Sequence, residues 1–174
     1  MSNARQIGLA MYEFEQKYGN IPDPINGEDV RNSAGTPLIL GNVTSNDVFR
    51  KWLASGIAQS EVMFYAETKS SHRPDGVSTG AKALEKGECG FTYFFGATKT
   101  DNPKRPLVAT PMIPGTDRFD PKPFKGMAVI LRMDNCVTTL PIDKDGHITI
   151  AGRNLMDPHH PLWDGHAPVI AWPE

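Results

Sequence analysis

Asp157, His159, His160, Asp164 and His166 fall together in one proline-punctuated stretch near the end of the sequence. Imidazoles beside carboxylates suit zinc or nickel. Neighbouring side chains in an extended segment point to opposite faces, however, so His159 and His160 do not share an ion. The stretch reads instead as a solvated loop, its imidazoles hydrogen-bonded or packed on Trp163. A second acidic pattern, Asp143-Lys144-Asp145-Gly146, opens like an EF-hand loop. With Gly146 at the invariant glycine, Pro141 would be the first ligand and Gly152 the last, where a bidentate Glu is required. A tight β-turn fits these residues better, and no metal site is predicted.

No other pattern offers catalysis. The sequence holds neither a Gly-x-Ser-x-Gly elbow nor Ser-x-x-Lys, and no phosphate-binding glycine loop. Its acids are scattered, so no carboxylate pair for glycoside cleavage can be picked out. The sequence predicts no enzyme and no cofactor. Two cysteines, Cys89 and Cys136, each begin a predicted strand. If those strands neighbour each other a disulfide is possible; otherwise the two are free thiols behaving as small hydrophobes. Neither cysteine has zinc-site spacing or a catalytic histidine motif beside it.

The elements that must position these groups begin with a helix over residues 2–18. Ile7, Met11, Phe14 and Tyr18 lie within about 60° of one another on one side of it. Leu9 projects about 180° from Tyr18, on the outer face with Arg5, Gln6 and Glu13. Gly19 ends the helix, and Pro22 and Pro24 forbid its continuation. A lone helix of this length is marginal in water, so its stripe must be buried against something. Residues 20–42 are too punctuated by Pro, Gly and Asn for more than a short turn. A second, short helix is predicted over 45–55, with Val48, Phe49, Trp52 and Leu53 as its apolar face. Residues 60–66 suggest a helical turn capped by Ser60, and 69–86 a polar surface loop.

From residue 90 the pattern changes to strands: 90–95, 107–110, then 126–133 and 136–142 joined by a turn at Asp134-Asn135. A turn at 143–146 leads to a further strand over 147–150, which makes three consecutive antiparallel strands. Residues 111–125 form an extended loop. The tail from 154 lies against the body through Leu155, Leu162, Trp163, Val169 and Trp172. The chain of 174 residues is predicted to be a single α+β domain with a loop-rich middle. A net charge of −2 gives no electrostatic case for nucleic acid. No run approaches the roughly 18 apolar residues of a membrane span.

The opening stretch, Asn3-x-x-Gln6-Ile7-Gly8-Leu9-Ala10 followed by Tyr18-Gly19-x-Ile21-Pro22, resembles the segment just after the membrane helix of bacterial type IV pilin-like proteins and type II secretion pseudopilins. The resemblance is looser over Glu88-Cys89-Gly90 and the Leu155-x-Asp157-Pro158 and Trp172-Pro173 tail. It implies that the N-terminal helix packs across the C-terminal antiparallel sheet. It also implies a chain cut at the membrane boundary, whose native form is anchored in the inner membrane and faces the periplasm or cell exterior. The implied partners are other pilin or pseudopilin subunits and their assembly machinery, with Leu9 as a filament contact. Where such proteins carry calcium near the C-terminus, Asp157, Asp164 and Glu174 would be its candidates here, though they form no tight cluster in the sequence. The competing expectation is a surface-displayed binding or adhesion module that uses the aromatic and histidine-containing tail.

Overall fold

In the computed structural model, residues 1–24, 27–36 and 40–174 are described. Helix α1 (Ser2–Tyr18) buries Ile7, Met11 and Phe14 and leaves Tyr18 half-buried, so the predicted stripe is its inner face. Gly19 closes it in the left-handed conformation, φ 80°, and donates its N–H to the Glu15 carbonyl. Helix α3 (Ser45–Ala54) starts at a full capping box: Thr44 accepts from the Asp47 N–H, and Asp47 accepts from the Thr44 N–H. Phe14 meets Trp52 of α3 at 6.5 Å between ring centroids, and Phe49 stacks on Phe64 at 4.5 Å. Each large side chain so buried is worth roughly 1.5–3 kcal/mol.

Five antiparallel strands form the main sheet: β1 (Thr92–Phe95), β2 (Pro106–Thr110), β3 (Met127–Arg132), β4 (Val137–Pro141) and β7 (Val169–Ala171). Their spatial order is β4-β3-β2-β1-β7. Side chains alternate between two cores, as the two-residue period of a strand requires. Tyr93, Phe95, Val129 and Leu131 face α1 and α3, whereas Phe94, Ala128 and Ile130 face the C-terminal segment. There they meet Phe119, Ile148, Leu155, Met156 and Trp163. The sheet is therefore an inner layer, covered by helices on one side and by loops and turns on the other.

Four expectations are corrected. The 20–42 connection contains a helix, α2 (Gly27–Ala34), held by the wholly buried Val30 and stopped by Gly35 at φ 57°. Residues 25–26 and 37–39 of that connection lie outside the described residues. The strand expected over 147–150 does not continue the β3–β4 meander. It shortens to β5 (Thr149–Ile150) and pairs with β6 (Arg153–Asn154) in a separate hairpin. Ala151 and Gly152 both take positive φ, 51° and 79°, which a two-residue turn of this kind requires; Ala-Gly is a weak signal for it. The tail does more than lie on the body, because β7 pairs with β1 as the sheet's last strand. Within it Val169 is 57% exposed rather than packed.

The predicted β3–β4 hairpin is present, its turn at Asp134-Asn135, with Asn135 at φ 59°. That turn supports α1. Gly8 lies so close to the Asn135 side chain and Leu131 that any side chain at position 8 would displace one of them.

Candidate functional site

The cysteines do not bridge. Cys89 precedes β1 and Cys136 precedes β4, and β2 and β3 lie between those strands. Three strand spacings of about 4.8 Å exceed the ~7 Å that a disulfide tolerates between Cα atoms. Cys89 is buried, and burial pushes its thiol up to about 12. It contacts the Ser45 hydroxyl and donates to the Phe91 carbonyl. Cys136 is exposed at the hairpin turn.

The histidines and acids of the tail each have a separate local role. His160 is buried: its Nδ1 accepts from the Leu162 N–H, capping the short 3₁₀ turn Pro161–Trp163, and its Nε2 faces the Ile150 carbonyl. His159 and His166 are exposed. Asp157 accepts from the His159 N–H, Asp164 from the Asn102 N–H, and Glu174 pairs with Thr44 and Arg50. These acids are not brought together into a metal site. Trp163 is wholly buried, donates to the Leu155 carbonyl and carries the Arg105 guanidinium 5.6 Å above its ring. The Asp143–Gly146 residues form the tight turn expected: Asp143 Oδ1 accepts from the N–H groups of Asp145 and His147. Those bonds, that from His147 foremost, hold its carboxyl below the usual range.

A different acidic group is assembled by the fold. Among the described residues, Glu61, Asp75 and Glu88 form the group of three acids whose ligand atoms all lie within 4.8 Å of one another. Glu61 and Glu88 are buried, and Asp75 is exposed. Each buried carboxylate binds main chain of the 69–86 loop. Glu61 accepts from Leu84 at 2.5 Å and Gly76 at 3.2 Å, and Glu88 accepts from Asp75 at 2.9 Å and Glu85 at 2.5 Å. Burial, followed by the nearby charges of Glu88 and Asp75, raises the Glu61 carboxyl above its ordinary value. Three such carboxylates are hard donors of the kind calcium takes, but a calcium site needs six to eight oxygens. All four oxygens of the buried pair already accept a main-chain N–H, so the arrangement fastens a loop. Sequence reasoning missed both residues, since nothing local marks two glutamates that meet only after the loop closes.

The remaining candidate is the outer face of α1. Leu9 is 63% exposed and Tyr12 61%, one helical turn apart, while Ile7, Met11 and Phe14 on the opposite side are buried. Glu15 on the flank is tied to Lys99 at 3.2 Å. Among the described residues no helix is long and apolar enough to cross a membrane. No protein family, no curated protein and no solved structure matches this chain.

Proposed function

We propose that this chain is a structural subunit of pilin or pseudopilin type, serving a type IV pilus or a type II secretion filament. The observation that supports the reading is the setting of α1. The helix lies on one face of an antiparallel sheet by its Ile7–Met11–Phe14 side and turns Leu9 and Tyr12 outward. A helix fixed in this way transmits load to the whole domain, while its outward pair meets neighbouring subunits. In this role the native protein is held in the inner membrane by an apolar helix ahead of residue 2. Its domain faces the periplasm or cell exterior until an assembly machine draws it into a filament. No catalytic step is involved. The alternative of adhesion through the tail is weakened by the burial of Trp163 and His160, which leaves one of its two tryptophans and one of its three imidazoles unavailable to a ligand.

The test is Leu9→Asp in the full-length protein, expressed in its host. An exposed position tolerates such a change within about 0.5 kcal/mol, so the domain keeps its thermal midpoint. Filament incorporation is expected to be lost. Normal incorporation of a folded Leu9→Asp subunit would overturn the proposal.

A further inference from the structure

On the face of the sheet turned away from α1, a cleft of about 240 Å³ opens between β3, β4, the β5–β6 hairpin and the Pro161–Trp163 turn. Ile130, Leu140, Ile150 and Leu155 give it an aliphatic floor, and Lys104 and Arg132 are the charged residues of its lining. Ile130 and Leu155 belong to the second core, which shares no residue with the core that holds α1. A subunit contacting its neighbours through α1 would therefore keep this cleft accessible.

Both charged side chains of the lining are cations, and one of them is unused. Arg132 gives Nε and Nη2 to Asp134 and also interacts with the Cys136 side chain, so its charge is already engaged. Lys104 is exposed, and among the described residues its ammonium has neither a hydrogen bond nor an ion pair. Sites that enclose drug-sized ligands run to about 300–1,000 Å³, so this one is sized for a single short chain. An aliphatic slot beside cationic groups complements a molecule that is apolar along its length and anionic at one end. We propose that the cleft binds an unbranched aliphatic carboxylate, with its chain over Ile130, Leu140 and Leu155 and its carboxylate at the Lys104 ammonium. This assignment is independent of the filament role.

Octanoate is the probe, octylamine its control of opposite charge, and the methyl resonances of Ile130, Leu140, Ile150 and Leu155 are the readout. Octanoate is expected to shift these methyls more strongly than octylamine. Lys104→Glu, at an exposed position, is expected to weaken octanoate by about fivefold, the effect of an exposed ion pair near 1 kcal/mol, without weakening octylamine. Three results would overturn the assignment: no shifts at millimolar octanoate, equal response to both head groups, or an octanoate affinity unchanged by Lys104→Glu. A self-association that Leu140→Asp abolishes and octanoate leaves untouched would give the cleft to a second copy of the chain, and would overturn it too.

Discussion

The Glu61 side chain is enclosed by the loop that it fastens, and its charge is held away from water beside two other carboxylates. Burial favours the neutral acid, so the folded protein holds this proton to a higher pH than the unfolded chain does. The sign of the pH effect follows. Between the ordinary glutamate value and the raised one, the folded state binds more protons, so this group's contribution to stability falls as pH rises through that window. Asp101, Asp134 and Asp143, whose carboxyls are held below the usual range, act in the opposite sense: their stabilisation is lost as pH falls through their folded-state values. The effect of Glu61 is isolated by comparison with Glu61→Gln, which does not titrate. The stability of wild type relative to Glu61→Gln should grow as pH is lowered from neutral towards 4.5, as measured by urea unfolding at several pH values. A difference that stays flat across the series would mean that Glu61 titrates alike in the folded and unfolded chains. Nothing local in the sequence foretells this behaviour, because Glu61, Asp75 and Glu88 are distant along the chain. Ile7, Met11 and Phe14, by contrast, were readable as a buried stripe from helical spacing alone.

Among the elements, the approach to β1 is a junction closed by main chain. A side chain at Gly90 would sit 2.7 Å from the Ala66 amide nitrogen and closer still to its carbonyl oxygen, both main-chain atoms that cannot swing aside. Gly90 also donates to the Phe64 carbonyl and accepts from the Thr110 hydroxyl, so three segments converge on it. Gly90→Ala should therefore destabilise by about 1–3 kcal/mol, and by more than Gly8→Ala, where the Asn135 side chain can rotate away. Urea midpoints of the two variants decide the order, and equal midpoints would show that the β1 approach relaxes as easily as a side chain. Elements with strong local signals were legible: α1 and α3 from helical period and caps, and β3–β4 from alternation about Asp134-Asn135. Elements held by distant contacts were not. α2 depends on one buried side chain, that of Val30, and β7 depends on pairing with β1 far back in the chain.

At the scale of the whole molecule, the segment after Asp164 closes both the sheet and the helical layer. β7 covers the edge of β1, the Ser45 N–H donates to the Trp172 carbonyl, and Glu174 reaches Thr44, Asn46, Arg50 and Gly87. Removing residues 167–174 would strip β1 of that cover and leave a row of unpaired main-chain groups open to other chains. The truncated protein should melt at a lower temperature and associate as its concentration rises, as followed by light scattering. A truncated chain that stayed monomeric with an unchanged midpoint would show that β7 only decorates the fold. The α+β class and the helix-to-sheet contact were foreseen, but the two-sided cover of the sheet was not, because strand alternation does not disclose what lies on the second face.

The late position of β7 also sets a clock. β1 is the first strand of the sheet to be made, yet its outer edge has no strand to pair with until Val169 emerges. At synthesis rates of ~5–20 residues per second, that edge waits for several seconds. A chain handed over N-terminus first would thus carry its sheet with one edge open until its last strand arrived.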